Sequence, residues 1–540
     1  MNSINKIPLD GISGLKENWK SDIMAGFTVF LIALPLCIGI ANASGAPPVA
    51  GLFAGIVGGL VCSLLGGSYV TINGPAAGLI VIVLGAISTL GKGDNTLGFK
   101  LTLAAIVVAS LFQIILGLSK GGYLEKFFPF SVVHGMMAAI GIIIFIKQSY
   151  IAIGVAPVSK TIPEQIIELP KAIMNLNPDI ALIGGISILI LIFVPMIKLD
   201  VIKKLPIPLI VVIVGIALGN IFDLKHEHVY FFSNIKYHIG ENSLVNVPKN
   251  IADGLTPPNF DRMFTLDFLE IIITISLVGS LESLLTASAM DKKDPFKRRS
   301  DMDRELVSKG VGNLILGLIG GIPIIAEVVR SSANIDNGAK TRWANFFHGL
   351  FLLLFLLLAP SLLHTIPLAC LAAILMMVGL RLANYKQFMH SYKLGFDQFI
   401  PFIITIVLTI AEDLLVGVFA GLAANMIIFL LLGVKHRELL QLEIESTTKQ
   451  DEIEIHISKV LVFSNFVKLE KLLRSIPQEK RIILDMSSIK FLEHTAHENL
   501  LSFKEIYIGN GGKFDMINME HLTSISDEPT STRRLLATHA

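Results

Sequence analysis

Glu327, Arg330 and Ser331 lie in a run whose other members are small or apolar. That run is Gly320-Gly321-Ile322-Pro323-Ile324-Ile325-Ala326-Glu327-Val328-Val329-Arg330-Ser331. A lipid-facing segment would not hold such charges, because ionisable groups at membrane depth are costly unless they face a cavity or a partner. A second run has the same grammar: Gly66-Gly67-Ser68-Tyr69-Val70-Thr71-Ile72-Asn73-Gly74-Pro75-Ala76-Ala77. Each follows a Gly-rich apolar helix ending in Gly-Gly, passes through a few extended residues, and opens a short new helix. Irregular backbone survives at membrane depth only where it is buried in protein or lines a cavity. Paired breaks at matching places in two halves point to a transporter binding site built from an inverted repeat.

The chemistry open to these residues is anion binding. A helix N-terminus offers unpaired N–H groups and about half a positive charge, so two facing N-termini form a cradle without a lysine. Asn73, Ala76, Ala77 and Gly78 supply one side, where small side chains let an anion reach the backbone. Glu327, Val328, Val329, Arg330 and Ser331 supply the other. Arg330 either adds positive potential to the cradle or pairs with a neighbouring carboxylate and supports the helix. Glu282, bounded by Gly279-Ser280 and Ser283, is too costly to bury as a free charge. It must be protonated, paired or bound to a cation. It reads as a proton carrier, as a sodium ligand together with Thr286 one turn on, or as a salt-bridge partner of Arg330. Glu327 falls in the first turn of its helix, where a carboxylate caps favourably. The sharper reading is that it competes with the anion, gates it, or binds a coupling cation.

The elements that must position these groups are apolar helices. Fourteen segments can be read, seven before the polar stretch 223–262 and seven after it. They cover approximately 22–41, 48–66, 75–91, 101–118, 128–149, 179–197 and 206–222, then 264–289, 304–320, 326–337, 343–363, 366–381, 396–411 and 413–433. The third and tenth are short and begin at the breaks. An odd number of helices per repeat inverts the second copy. Composition agrees: of 540 residues 53% are hydrophobic and 16% charged, with mean hydropathy +0.68, outside the range of soluble proteins. The net charge of +1 and the lack of a basic, aromatic surface give no sign of a nucleic-acid partner. Cys37, Cys62 and Cys370 all lie in apolar segments and read as packing residues rather than disulfides. Lys6, Lys16 and Lys20 in a polar start, ahead of a long first apolar segment, do not read as a cleaved signal peptide.

Basic residues orient the helices. Lys120, Lys126, Lys198, Lys203, Lys204, Lys292, Lys293, Lys297, Arg298, Arg299, Lys340, Arg342, Arg381, Lys386, Lys393, Lys435 and Arg437 all fall in alternate loops. Positive-inside bias therefore puts both termini in the cytoplasm of a bacterial-type inner membrane. After about residue 440 the pattern changes to strands at Glu452–Val462, Arg481–Asp485 and Lys513–Asn518, with helices at Lys468–Ser475 and His497–Gly509. That is a small α/β domain. Its expected organisation is a linker at 436–449, the domain at 450–525 and a frayed tail at 526–540. Asp485-Met486-Ser487-Ser488 reads as a strand end followed by a turn.

The order and spacing of several motifs resemble the SulP (sulfate permease) family of anion transporters along nearly the whole chain. These are Asp22-x-x-Ala25-Gly26 with Pro35, Gly45, Pro48, Gly51-Leu52, Gly67-Ser68 and Gly74-Pro75 in the first half. In the second they are Glu282-Ser283-Leu284, Arg304-Glu305-Leu306, Gly320-Gly321-Ile322-Pro323, Arg330-Ser331-x-x-Asn334, Gly338-Ala339-x-Thr341 and Ile366-Pro367-Leu368-Ala369. Residues 450–525 resemble the STAS domain of that family. The resemblance implies a core domain carrying both broken helices, a gate domain, an elevator-like movement between them, and a homodimer. It also implies an anion-field role for Arg330 and a cation-coupling role for an acidic residue at position 282. Two positions depart from it. Glu327 stands where a small or hydroxyl residue is usual, and Leu36 where many relatives have glutamine. In soluble STAS relatives a phosphorylatable serine opens a helix where this chain has His494, so that switch is not expected, although Thr495 is adjacent.

These readings converge on a polytopic α-helical membrane protein, a 7+7 inverted repeat at 22–222 and 263–435 joined by the outer loop 223–262. Residues 1–21 precede it in the cytoplasm. Its expected work is proton- or sodium-coupled uptake of an inorganic anion, sulfate or bicarbonate. The rival readings are a chloride-type channel or exchanger, a membrane sensor with STAS output, and a nucleobase permease of the same architecture. No His/Cys metal spacing, P-loop or nucleophile elbow occurs, so neither an enzyme nor a cofactor beyond a coupling proton or sodium ion is expected. His134 and His348 read as packing or hydrogen-bonded histidines.

Overall fold

The computed structural model describes residues 7–159, 161–197, 206–232, 235–248, 251–449, 451–509 and 511–535. Lys198, Lys203 and Lys204, used above to orient the chain, lie outside them, as does Lys6 of the polar start. A helix coincides with each of the fourteen expected segments. Among the described residues eight helices are long and apolar enough to cross a membrane, from Gly11–Ala43 to Leu414–Leu431. Four shorter apolar helices accompany them: Ala77–Gly91, Ile207–Ile221, Trp343–Leu358 and Phe396–Ala411. Local chemistry starts several helices. Asp94, Asn177, Thr265, Asp301 and Asp413 each accept a hydrogen bond from the backbone N–H three residues on, satisfying a donor the helix itself leaves orphaned. Gly320, at φ 96°, ends the helix Met302–Ile319 in the left-handed conformation, with its N–H on Leu316 O. Only glycine adopts that conformation freely.

In the first 435 residues, two helices and a hairpin are not signalled by apolar runs. Helix Ile162–Met174 is amphipathic and Tyr385–Leu394 is short, so neither carries a long apolar run. Within the outer stretch, strands His228–Phe232 and Ile235–Ile239 form an antiparallel hairpin. Tyr230 stacks on Tyr237 with ring centroids 5.4 Å apart and donates to Asn177 Oδ1 at 2.9 Å.

The described chain forms two compact units. One contains the residues up to Gly122 with Ile140–Leu382, and the other Tyr123–Ala139 with the residues from Ala383 onward. These limits differ from the expected division into a membrane part and a C-terminal domain, because the second unit includes helices Phe396–Ala411 and Leu414–Leu431 together with the C-terminal sheet. In that sheet Glu452–Leu461, Arg481–Leu492 and Lys513–Ile517 run parallel, and Glu443–Thr448 pairs antiparallel with the first. Helices Phe463–Ser475 and His494–Gly509 cover a core of Ile455, Ile457, Leu469, Ile482, Leu484 and Leu500. The sheet therefore starts before 450, with a charged strand that has no buried face to signal it. Asp485–Ser488 lies inside the strand Arg481–Leu492 rather than after its end. The expected frayed tail is corrected over 526–535, while 536–540 lie outside the described residues. Arg533–Leu535 is a strand between Arg481–Leu492 and Leu522–Ser524, and Thr532 Oγ1 donates to Asp397 Oδ2 at 2.6 Å.

At the start of helix His494–Gly509, Glu493 is wholly buried and accepts from the backbone N–H groups of Thr495, Ala496 and Phe463. Thr495 is equally buried, and its hydroxyl accepts from Phe130 N at 3.0 Å. A group in that position is closed to modification unless the helix first lifts. Burial pushes the Glu493 carboxyl up to about 7, against those hydrogen bonds. Burial also pushes His497 down to about 4, and His494 down. The signs oppose. The Glu493 contribution to stability is present below its ordinary 4.5 and lost as pH rises through 7, whereas the histidine contributions are present above 6.5 and lost as pH falls. Two histidines outweigh one carboxyl, so amide exchange in residues 494–509, corrected for intrinsic rates, is expected to quicken below pH ~6.5. Glu493→Gln, by removing the opposing group, should steepen that dependence. A flat or reversed profile contradicts the assignment.

Candidate functional site: two half-helices on one strand pair

The two broken runs meet. Asn73–Pro75 and Ile324–Ala326 pair antiparallel, with Asn73 opposite Ala326, Gly74 opposite Ile325 and Pro75 opposite Ile324. The first strand leads through the turn Ala77–Leu79 into helix Ile80–Gly91, and the second leads into helix Val328–Asp336. Both half-helix starts therefore lie within two residues of one buried strand pair. Three residues per strand could not hold this geometry alone, so side chains from whole helices pin it. Asn345 accepts from Asn73 N at 3.3 Å and donates to Gly58 O. Asn313 accepts from Ile324 N at 2.7 Å and donates to Gln113. Ser331 Oγ accepts from Ile72 N at 2.8 Å, and Asn334 donates to Val70 O. Upstream, Glu305 accepts from Gly67 and Ser68 N while paired with Lys309 at 2.6 Å. All of these side chains are buried, and a buried polar group stays where its partners hold it.

Arg330 is the largest wholly buried side chain among the described residues. Its guanidinium donates to Pro75 O at 3.3 Å and to Cys37 Sγ at 3.4 Å, and leaves Nε without a partner. Among the described residues no acidic side chain forms an ion pair with it, so the salt bridge to Glu282 that the sequence left open is not formed. His348, wholly buried and in Arg330's electrostatic field, has neither ring nitrogen hydrogen-bonded. Of the two readings of His348, packing or hydrogen-bonded, the structure matches the packing one. The Asn73 side-chain oxygen is also unpartnered. A buried cation beside unsatisfied polar atoms is costly unless something else answers it.

The carboxylates sit on the helix starts themselves. Glu327 is the N-cap of Val328–Asp336, and its Oε2 accepts from Arg330 N at 3.1 Å. Glu282, from helix Leu266–Lys293, lies against Gly78 so closely that a Cβ there would overlap its carboxylate. Glu282 and Glu327 are half-buried, while Asn73, Ala76, Ala77, Gly78, Arg330 and Ser331 are buried. The accessible groups are thus acidic and the enclosed one basic. Val329 is half-buried and Val328 exposed. Thr286 is buried one turn beyond Glu282, and no hydrogen bond joins the two among the described residues.

Sequence reasoning placed the breaks, Arg330, Glu282 and Glu327 together. It missed Asn345, Asn313, Gln113 and the hydrogen-bonding role of Cys37. The signal for the amides was present: single Asn and Gln residues in otherwise apolar helices need buried partners. Which partners they take, the backbone of Asn73 and Gly58 for Asn345, and Ile324 and Gln113 for Asn313, is not signalled by spacing.

Comparison with known proteins follows the same lines. The profile of the sulfate permease family matches residues 19–405. The chain is 27% identical over 517 residues to the putative sulfate transporter YvdB of Bacillus subtilis (strain 168), covering 93% of this chain and 92% of that protein. The solved transmembrane domain of a cyanobacterium bicarbonate transporter, BicA, superposes with a TM-score of 0.62 at 25% identity, covering 75% of this chain and 97% of that one. The murine Solute Carrier 26 family member A9 anion transporter, at 16% identity, shares the fold over 93% of this chain and 86% of its own, with a TM-score of 0.66. The helices, the paired breaks and these matches agree, and this integral membrane protein belongs to the sulfate permease family.

Proposed function

We propose that the chain is a secondary-active transporter of an inorganic oxyanion of the sulfate or bicarbonate class. One observation carries this reading: two half-helix N-termini share a single strand pair, with a wholly buried arginine beside them that pairs with no carboxylate among the described residues. Aligned N–H groups and a desolvated guanidinium select for negative charge. The anion binds between Ala76–Gly78 and Val328–Arg330, and Glu282 carries the coupling proton or, with Thr286, the coupling sodium ion. The unit holding both half-helices moves as the core of an elevator-like transporter with fourteen spans. Both termini are cytoplasmic in a bacterial-type inner membrane, the protein is a homodimer, and the C-terminal α/β region is a STAS-type domain.

Purified protein in liposomes should accumulate radiolabelled sulfate or bicarbonate under an imposed proton or sodium gradient. Failure of both anions under both gradients overturns the reading. Glu282→Gln should abolish gradient-driven accumulation while leaving equilibrium exchange of the anion measurable. Full accumulation in that variant assigns Glu282 a structural role only.

A further inference from the structure

Each half-helix start in this structure already carries a carboxylate from the protein itself. Glu327 Oε2 takes the N–H of Arg330, the third residue of its half-helix, which is one of the donors an incoming anion would use. Glu282 lies on Gly78, in the first turn of the other half-helix. The two carboxylates act on one another electrostatically. The other charged or titratable groups at the site, among the described residues, are Arg330, Cys37, which lies in the fields of both Arg330 and Glu327, and His348, which lies in that of Arg330. Arg330 has a free Nε and no acidic partner among the described residues. The site is therefore built for negative charge on its enclosed side and is lined by negative charge on its accessible side.

We infer that Glu327 and Glu282 are tethered competitors of the substrate, and that an anion occupies the two helix starts only as these carboxylates take up protons. The inference rests on the anion-transport reading and deepens it. A carboxylate attached beside the site competes at a fixed, high effective concentration, so it sets a threshold that free anions must exceed. Protonation removes its charge and weakens it as an acceptor, which frees the Arg330 N–H. Anion and proton then enter together because they contend for the same groups. Glu327 is the more informative of the pair, since a hydroxyl at that position would cap the helix without a charge.

The test uses the full chain in liposomes and the KM for radiolabelled sulfate between pH 5.5 and 8, with that for bicarbonate, expressed per bicarbonate ion, taken above neutrality. In wild type the KM should rise with pH. Glu327→Gln keeps a capping oxygen and loses the charge. Its KM at pH 7.5 should fall roughly 3- to 30-fold, the range for one charge at a helix terminus, and should depend less on pH. Glu327→Ser carries the same expectation and serves if the glutamine variant does not fold. A KM and pH profile unchanged in both variants overturns the inference. So does loss of equilibrium anion exchange in both at an unchanged melting temperature, because removing a competitor cannot abolish binding. Wild type that transports neither anion defeats the transport reading itself, which separates that failure from this one.

Discussion

Arg330→Met abolishes anion uptake while leaving the protein folded: that is the expected result of removing the buried guanidinium. Methionine is similar in length, flexible and apolar, so it can fill the space without strain. The substitution orphans no carboxylate, because none among the described residues pairs with Arg330, and the atoms released are only Pro75 O and Cys37 Sγ. The usual cost of breaking a buried ion pair therefore does not arise. What is lost is the desolvated positive charge beside the helix starts. Truncating one partner of such a pair typically costs about 2–5 kcal/mol of binding, or roughly 30- to 4,000-fold at tenfold per 1.4 kcal/mol. Arg330→Lys should fall between the two. One ammonium keeps the charge but cannot reproduce the planar fork that reaches Pro75 O and Cys37 Sγ together. Uptake assays at matched protein density, with a thermal melt to verify folding, decide the matter. Wild-type uptake in Arg330→Met would place the arginine among purely structural residues.

The second large effect is expected at Gly78, against which the Glu282 carboxylate lies. A methyl group there overlaps that carboxylate, so Gly78→Ala must displace Glu282 or the half-helix start. Overpacking of this kind costs about 1–3 kcal/mol, or roughly 5- to 150-fold in uptake if the strain falls on the transporting conformation. The double variant Gly78→Ala/Glu282→Ala separates strain from chemistry. It should recover equilibrium anion exchange, since the clash is gone, but not gradient-driven accumulation, since the coupling carboxyl is gone as well. Such non-additivity is the mark of direct contact. Additive losses in the cycle would show that Gly78 and Glu282 act independently.

The course of the helices was legible because apolar runs and glycine-proline breaks are local signals, and so was the placing of Glu282, Glu327 and Arg330 near the breaks. Which atoms meet was not. The strand register of Asn73 against Ala326 joins residues far apart in sequence and involves only three residues per strand, too few for any periodic pattern. Asn345 acts on backbone groups, so no complementary side chain announces it, and Asn313 joins a backbone N–H to a glutamine 200 residues away. Arg330 and Glu282 looked like natural partners because each is an isolated charge in an apolar run. The structure instead turns one onto Pro75 O and the other onto Gly78, a choice of helix rotation that sequence spacing does not encode. The strand Glu443–Thr448 and the ordered segment through Arg533–Leu535 were missed for a related reason. Both are short or exposed edge pieces, held by pairing rather than by a buried face.

The claim on which the account turns is that one anion sits between the two half-helix starts beside Arg330. Equilibrium binding of radiolabelled sulfate and of bicarbonate to the purified full chain, wild type and Arg330→Met measured side by side at acid pH, tests it most directly. The account predicts saturable binding of at least one of these anions to wild type and its loss from the folded Arg330→Met protein. Binding of equal affinity in both proteins would contradict it.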